Sequence, residues 1–516
     1  MRNLVSTFAI VAMLAQGPAA AVPPERAGQQ DRQALCYRPG PLPQLGSERW
    51  DQQRPTPRPM PVRGKSVAPA GEAMPSAPPP SPPPPPPPPM ASTSVDVAAA
   101  EPAVAGDAPP AASSGYAAKE ATRGEDKVMP GESAGRPDVM PTPYPYPQPR
   151  PQSGLLTAGE HDDLLNPELY AAYLRRSNLG QELPVLPRLD TSRVLTVTVK
   201  DDAGRPVPFA PVELACADGG RLKLATTADG TVSFFPDLDR LGRKVWLRAG
   251  QDDWREVAIA AGSGGQQVQF TQRGEAVKAS KLDLMLVIDT TGSMSDEIRY
   301  LQAELQSILS SLRQRHPGLD IRVGFVFYRD LGDDYVTQTV PLTRDFARAQ
   351  AELGQRWAGG GGDYPEAMDQ AMVRAAGQDW RPDAVKSLLL VADAPPHDEN
   401  VGLAWRASEV LRHSRVQIVP VAASGVADKA EYVMRAMAAM TQSRYTFLTD
   451  DSGIGNRHAP PAIDCYLVTR LDSLLRRVID SQISGRRIEP EAQEVIREVG
   501  NYDHGKCVIP PGGLRD

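Results

Sequence analysis

Residues 282–294 have the sequence LDLMLVIDTTGSM, in which a nearly continuous apolar run ends at an aspartate. The run from Leu282 to Ile288 is interrupted only by Asp283, which is typical of a parallel β-strand covered on both faces. Beyond it, apolar residues recur at spacings of three and four and predict a long amphipathic helix. They are Ile298, Leu301, Leu305, Ile308 and Leu312. The chain therefore passes from a buried strand through Asp289 and a polar loop into a helix.

The alternation of strands and helices continues to about residue 485. Further strands are predicted near 321–327, 387–392, 416–421 and 444–448, with an edge hairpin around 335–342. Helices are predicted near 346–353, 366–376, 404–411, 429–440 and 467–483. This order predicts a doubly wound α/β domain over residues 279–485, in which ligands bind at the carboxyl ends of the strands.

Two carboxylates reach that edge of the predicted sheet. Asp289 ends the first strand, and Asp393 follows the buried strand at 388–392. Two like charges about 4 Å apart repel by about 4 kcal/mol at an effective dielectric of ~20, and a bound divalent cation removes that cost. Thr291 and Ser293 add hydroxyls shortly after Asp289. Mixed carboxylate and hydroxyl oxygens favour Mg²⁺, with Mn²⁺ or Ca²⁺ as alternatives.

The motif from Asp289 to Met294, DTTGSM, resembles the Asp-x-Ser/Thr-x-Ser motif of the von Willebrand factor type A (VWA) domain, its metal-ion-dependent adhesion site. The resemblance covers about residues 279–485 and includes the Gly-rich loop 359–366 and the run LLLVAD that ends at Asp393. It implies a Rossmann-like domain in which Asp289, Thr291, Ser293 and Asp393 bind the cation. It also implies a protein partner that contacts the metal through an acidic side chain.

The Gly-rich loop departs from the family pattern. Its sequence is GGGGDYPE, with Gly362 or Asp363 where the family supplies a threonine. Asp363 either approaches the metal, directly or through water, or caps the helix predicted from Glu366, since Pro365 suits a first helical turn. A third carboxylate would bind the cation more tightly and weaken its attraction for a partner's carboxylate. The loop is not a phosphate cradle, because no Gly-Lys-Ser/Thr follows the glycines.

Other polar residues follow the strands at the same predicted edge. His397, Asp398 and Glu399 lie shortly after Asp393 and form either a solvated loop or a contact to a ligand. Asp330, after the second strand, is expected to be structural or to orient the metal ligands.

Residues 191–275 show a different period. Apolar residues alternate with polar ones in six short runs, and turn residues such as those at 202–204 and 228–230 separate them. This spacing predicts a β-sandwich. The segment resembles the immunoglobulin-like modules of the carboxypeptidase-regulatory and collagen-adhesin B types, which implies a spacer or platform without catalytic residues.

Residues 156–190 are predicted to be a helical segment with Thr157 or Asp162 as its cap and Pro167 in a first turn. The cluster Glu160-His161-Asp162-Asp163 is either a metal site or, as we favour, an acidic helix start stabilised by the macrodipole.

The N-terminal region has a composition that a folded domain rarely has. Residues 1–21 combine an early arginine, an apolar stretch and small residues, which predicts a secretory signal peptide, with an uncleaved anchor as the alternative. Of the 53 prolines, 34 precede residue 152. Residues 22–155 are therefore predicted to be a disordered Pro-rich linker, with a ligand for aromatic grooves as the alternative function.

The four cysteines are Cys36, Cys216, Cys465 and Cys507, and export would place them in an oxidising compartment. Cys465 and Cys507 flank the last predicted helix, so a structural disulfide between them is expected. Cys216 lies on a strand face with apolar residues, where a buried free thiol is the simpler interpretation.

The net charge is −7, and acidic and basic side chains are mixed along the chain, which argues against a surface that binds nucleic acid. After the signal, no apolar run approaches the ~18 residues that span a bilayer. We expect an exported protein, periplasmic or secreted to the surface, that is not an enzyme and binds a divalent cation and through it a protein partner. One alternative is an assembly scaffold whose metal site is structural. Another is a metal-dependent hydrolase, although no G-x-S-x-G or H-E-x-x-H motif is present.

Overall fold

The computed structural model describes residues 35–48 and 152–509, apart from 178, 180–185, 187, 297, 424 and 455–456. The chain divides into two compact units, residues 1–52 with 149–516 and residues 53–148, and every described residue belongs to the first. The predicted signal peptide and most of the predicted linker lie outside the described residues.

The first strand of the unit replaces part of the predicted N-terminal helix. Residues Thr157–His161 form strand β1, which pairs with two strands from the far end of the chain. Helix α1 (Pro167–Arg176) follows, with proline in its first turn as predicted. The prediction of a helix start at 157–163 was wrong because the hydrogen-bonding partners of β1 lie almost 300 residues away, as in the pairing of Thr157 with Thr449.

Seven strands then form two smaller sheets around one apolar core. They are β2 (Leu195–Asp201), β3 (Pro211–Cys216), β4 (Arg221–Ala225), β5 (Thr231–Phe234), β6 (Lys244–Ala249), β7 (Arg255–Ala258) and β8 (Gln266–Gln272). One sheet has the order β5-β2-β8 and the other the order β4-β3-β6-β7. Alternate residues of β2, from Leu195 to Asp201, are buried, which is the period of two seen in the sequence.

The large sheet contains β1 and eight later strands. These are β9 (Lys281–Asp289), β10 (Asp320–Tyr328), β11 (Thr337–Thr343), β12 (Val385–Ala392), β13 (Gln417–Ala422), β14 (Tyr445–Thr449), β15 (Tyr466–Arg470) and β16 (Arg497–Val499). The strand order is β11-β10-β9-β12-β13-β14-β1-β15-β16. Strands β10, β9, β12, β13 and β14 are parallel, and the others are antiparallel to their neighbours.

Six further helices cover both faces of this sheet. They are α2 (Ile298–Arg315), α3 (Phe346–Gly354), α4 (Met368–Ala376), α5 (Val401–His413), α6 (Asp428–Met440) and α7 (Leu471–Ser484). Helices α2, α3 and α7 share an apolar core with one face, and α1, α4, α5 and α6 with the other. Every residue of β12 is buried, as expected for a strand covered on both sides. This is the mixed α/β fold that the sequence predicted.

Two boundaries differ from the prediction at the C-terminal end. The segment predicted as the last helix begins with strand β15, and helix α7 starts only at Leu471. The predicted C-terminal extension contributes β16 to the large sheet and a small hairpin of β17 (Tyr502–Asp503) and β18 (Lys506–Cys507). The extension is therefore part of the folded unit.

Residues 35–48, which the sequence placed in the linker, pack on the folded unit. Cys36 forms a disulfide with Cys216 of β3, with 5.8 Å between the Cα atoms. The carboxylate of Glu48 accepts hydrogen bonds from the Thr339 amide (2.8 Å) and from the Thr337 hydroxyl (3.1 Å) of β11. The expectation of a free Cys216 thiol was therefore wrong, because strand-face burial does not show which cysteine approaches from a distant segment.

A second disulfide joins Cys465 and Cys507, with 5.4 Å between the Cα atoms. Of the helices in the described part of the chain, none has the combination of length and apolarity that crossing a bilayer requires.

Candidate metal site

The two aspartates selected from the sequence end neighbouring parallel strands. Ile288 of β9 lies opposite Val391 of β12, so Asp289 is level with Ala392 and Asp393 follows one residue later. Both carboxyl groups are buried. The register thus brings Asp289 and Asp393 to the same edge of the sheet, at the carboxyl ends of the strands.

The loop after β9 turns its hydroxyls toward Asp289. Oδ1 of Asp289 accepts hydrogen bonds from the Thr291 amide (2.9 Å) and the Thr291 hydroxyl (2.7 Å). The Thr291 and Ser293 hydroxyl oxygens are 3.1 Å apart, and Ser293 is exposed. The structure therefore brings three of the predicted ligands, Asp289, Thr291 and Ser293, into one hydrogen-bonded group.

The second carboxylate oxygen of Asp289 is available for a ligand. Oδ2 is buried and has no hydrogen-bond partner among the described residues. The buried hydroxyl of Tyr328 lies beside the Asp289 carboxyl group and favours its ionised form. Burial, together with the negative charge of Asp393, raises the pKa of Asp289 from 3.8 to about 7. A cation between the two aspartates would reverse both effects, because it favours the ionised form.

The Gly-rich loop packs directly over this group. The Gly292 amide donates to the Gly360 carbonyl (3.0 Å), and the Gly361 amide donates to Asp333 Oδ2 (2.8 Å). Gly361 has a φ of +71°, and a Cβ atom there would lie 2.9 Å from Glu366 Oε1 and 3.3 Å from Thr291 Cβ. A side chain at Gly361 would therefore fill the space between Glu366 and Thr291.

Glu366 is the residue of this site that the sequence analysis missed. Its side chain is 3% exposed, and Oε2 has no hydrogen-bond partner in the described part of the chain. Burial raises the pKa of Glu366 from 4.5 to about 9, reinforced by the charges of Asp289, Asp330 and Asp393. One feature of the sequence could have identified Glu366. It follows Pro365 at the end of the Gly-rich loop, where proline disfavours a helical turn, so Glu366 belongs to the loop rather than to the helix.

Asp363 lies apart from this buried group. Its side chain is exposed, and its charge acts on His397. Helix α4 begins at Met368, and Ala367 occupies its N-cap position without a side-chain cap. The alternative in which Asp363 caps that helix was therefore wrong, because the helix starts later than predicted.

Two of the three polar residues after β12, His397 and Asp398, are paired, whereas Glu399 is exposed. His397 Nε2 lies 2.7 Å from Asp330 Oδ1, and Lys429 pairs with Asp398. Burial lowers the pKa of His397, but the hydrogen bond and the charge of Asp330 outweigh it, so the pKa is raised overall. Asp330 is thus held beside the site by a histidine of the neighbouring loop.

The acidic cluster at 160–163 is neither a metal site nor a helix start. Glu160 pairs with Arg444 (2.7 Å) and Arg477 (3.4 Å), and Asp163 pairs with Arg435 (2.7 Å). Burial raises the pKa of Glu160, but the arginines outweigh it and hold the pKa at about 2. Glu160 and Asp163 are therefore held in buried ion pairs with arginines from distant parts of the chain.

The candidate ligands at the carboxyl ends of β9 and β12 are hydroxyl as well as carboxyl groups. Such a mixture of oxygen atoms suits a hard cation. No cluster of three or more His, Cys, Asp or Glu side chains with the spacing of a metal site occurs in residues 35–48 and 152–509 outside the gaps given above. The four predicted ligands offer two carboxylates and two hydroxyls, the buried Glu366 carboxyl group lies beside them, and the unpartnered Oδ2 of Asp289 is one of the available oxygens.

Comparison with known proteins agrees with this fold. Residues 283–456, about a third of the chain, match the model of the von Willebrand factor A domain. The part of the chain that carries the site is therefore a VWA domain with a mixed α/β fold.

One curated relative is the alpha-protein kinase vwkA of Dictyostelium discoideum, which is 32% identical over 128 residues. The match covers 24% of this chain and only 20% of the relative. The chain thus spans about a fifth of the length of that protein.

Two solved structures are similar at low sequence identity. The conserved hypothetical protein BatB of Bacteroides thetaiotaomicron is 11% identical, with 39% of this chain and 98% of that chain covered and a TM-score of 0.27. The pilus adhesin SpaC of Lactobacillus rhamnosus GG is 13% identical, with 46% and 32% covered and a TM-score of 0.31.

Proposed function

We propose that the VWA domain is a protein-interaction module that binds a divalent cation, Mg²⁺ or alternatively Mn²⁺ or Ca²⁺, and contacts a protein partner through it. The observation that carries the proposal is the buried, unpartnered Oδ2 of Asp289 beside the hydroxyls of Thr291 and Ser293. A buried carboxylate oxygen without a partner is costly, and a cation offsets that cost.

In this proposal Asp289, Thr291, Ser293 and Asp393 hold the cation, which when bound supplies positive charge and an open coordination position. Thr291 orients Asp289 through its amide and hydroxyl, leaving Oδ2 for the metal. Asp363 is too exposed to share that buried environment, so any contact it makes to the metal runs through water. The module is not an enzyme in this proposal, and it acts after export, in the periplasm or at the surface.

Isothermal calorimetry with Mg²⁺ tests the metal site. The full chain should bind Mg²⁺, and Asp289→Ala should abolish binding. Ser293→Ala should weaken binding without disturbing packing, because the Ser293 side chain is exposed. Asp379→Ala is the matched control, since the Asp379 side chain after α4 is 97% exposed and, among the described residues, makes only a long ion pair with Arg322 (3.5 Å).

The result against the proposal is equal Mg²⁺ binding by wild type, Asp289→Ala and Ser293→Ala. If calorimetry shows Mg²⁺ binding in the absence of chelator, but partner capture persists when chelator removes the metal, the assembly scaffold with a structural metal would be favoured instead.

A further inference from the structure

The loops around the site form a continuous rim. We define the rim as residues 329–335, 357–366 and 393–399. Arg329 Nε donates to the Thr290 carbonyl (3.2 Å), and the Glu366 amide donates to the Pro395 carbonyl (3.0 Å). With the bond from Gly292 to Gly360, the three loops are tied to each other and to the metal-binding loop.

Large apolar side chains are exposed on this rim. Leu331 is 48% exposed, Trp357 54% and Tyr364 41%. The other large hydrophobic residues that are exposed in the described part of the chain, Val277, Ile496 and Val508, lie on other segments. Three apolar contacts around one polar site are the pattern of an interface anchor rather than of scattered surface residues.

Two of these side chains are held in place. The Arg329 guanidinium lies 4.4 Å from the centre of the Trp357 ring and 4.7 Å from that of Tyr335, and Arg329 Nη2 donates to the Trp357 carbonyl (3.2 Å). The Tyr364 hydroxyl accepts from the Ala427 amide (2.8 Å). Because these rings are already ordered, a partner that packs on them loses little conformational entropy.

The charge on the rim is negative. Its cationic groups are paired within the protein: Arg329 with Asp334, His397 with Asp330, and Lys429, which reaches the rim, with Asp398. Among the described residues, no cation lies within ion-pair distance of three further acids, Asp333, Asp363 and Glu399. A divalent cation bound by Asp289 and Asp393 would balance those two carboxylates only. The rim therefore stays acidic with metal bound, and it repels an acidic partner.

We propose that the rim binds a protein segment in which a lysine or arginine lies next to an apolar or aromatic side chain. The basic group pairs with Asp333 or Asp363, and the apolar group packs between Trp357 and Leu331 or against Tyr364. The partner's ligand to the metal is then a neutral oxygen, in place of the acidic side chain that the family resemblance implies. This inference rests on the proposed function, because it specifies the partner of the same site.

Selection from a phage library of random dodecapeptides on the full chain in Mg²⁺ tests the chemistry of the partner. The expected peptides are enriched in Lys or Arg beside Leu, Phe or Trp. A selected peptide, labelled and measured by fluorescence anisotropy, should bind Trp357→Ala at least tenfold more weakly. The double variant Asp333→Asn, Asp363→Asn should lose about tenfold at low salt and little at high salt. Val277→Ser, at a residue 80% exposed on another segment, is the matched control and should bind like wild type.

Three results overturn the inference. They are enrichment of Asp or Glu in the selected peptides, recovery of no binding peptides, and affinities that Trp357→Ala and the double variant leave unchanged while both stay folded by circular dichroism. Basic peptides that bind Asp289→Ala as tightly as wild type would leave the rim inference standing and count against the metal-dependent function. Acidic peptides that need Mg²⁺ for binding would overturn the rim inference and support the metal-dependent function. The experiment therefore distinguishes failure of the rim inference from failure of the proposed function.

Discussion

Replacing Glu366 with glutamine should stabilise the metal-free protein at neutral pH. The carboxyl group of Glu366 is buried, and its Oε2 has no hydrogen-bond partner among the described residues. Burial and the charges of Asp289, Asp330 and Asp393 raise its pKa from 4.5 to about 9. Glutamine keeps the size of the side chain and removes the charge, so it removes the cost of ionising this group in the fold.

The sign and size of the effect follow from proton linkage. Between pH 4.5 and 9 the folded state binds the Glu366 proton more tightly than the unfolded state, so this group destabilises the fold increasingly as pH rises. At pH 7 the full difference would be about 3 kcal/mol. Partial screening of the charge reduces this difference, so we expect about 1–2 kcal/mol. At pH 5 the difference should be within about 0.7 kcal/mol.

Urea unfolding in chelator at pH 5 and pH 7.5 measures this difference directly. Glu366→Gln should unfold at higher urea than wild type at pH 7.5, with the two curves nearly coincident at pH 5. Glu168→Gln, an exposed glutamate on α1, is the matched control and should change little at either pH. Lower stability of Glu366→Gln at pH 7.5, or an equal gap at both pH values, would refute the electrostatic argument and indicate a packing effect.

Three further variants test the fold. Asp163→Ala leaves the buried Arg435 guanidinium without its bidentate partner. The free energy of unfolding in urea should fall by about 3–5 kcal/mol, and a fall of less than about 1 kcal/mol would contradict the burial of that pair. The double variant Cys36→Ser, Cys216→Ser should lose about 2–4 kcal/mol and expose residues 35–48 to limited proteolysis, and an unchanged digestion pattern would count against their packing. Leu389→Ala in the centre of β12 should cost about 2–5 kcal/mol in the same unfolding assay. A loss below about 1 kcal/mol would mean that neighbouring side chains move in to fill the cavity.

The parts of the fold that were predictable are those with local causes. The apolar runs of β9 and β12 mark strands that are buried on both faces. A strand of this kind can be predicted because its consecutive residues are apolar. Asp289 and Asp393 end those strands, and the rule that ligands collect at the carboxyl ends of parallel strands placed them together. The hydroxyls of Thr291 and Ser293 follow within the same loop, so their place near Asp289 needed no long-range information.

The parts that were not predictable depend on partners far away in sequence. Strand β1 has five residues of ordinary composition, and only its pairing with β14 and β15 makes it a strand. Glu160 was mistaken for part of a helix start because its partners, Arg444 and Arg477, lie about 300 residues later. The Cys36–Cys216 disulfide has the same origin: the sequence favoured only the Cys465–Cys507 pair, and nothing local to Cys216 shows that Cys36, 180 residues earlier, approaches it.

The position of the two smaller sheets bears on how the site is presented. Arg412, at the end of α5, makes a buried bidentate pair with Asp239 (2.8 Å for each bond) and donates to the Ser233 carbonyl (2.9 Å). Gln442 after α6 accepts a hydrogen bond from the Ser233 amide (3.0 Å). Breaking a buried charge pair of this kind is costly, so the smaller sheets are fixed to the VWA domain rather than joined to it as a loose spacer.

These contacts lie near the start of β13, at the amino ends of the parallel strands, because Gln417 begins β13 and its side chain donates to the Gln442 carbonyl (2.8 Å). The loop that follows Asp289 and the rim lie at the carboxyl ends of the same strands. The contacts that Arg412 and Gln442 make with the smaller sheets therefore lie at the opposite ends of the parallel strands from Asp289. Because these contacts are at the far ends of the strands from the rim, a partner that binds at the rim would not displace the Arg412 and Gln442 contacts.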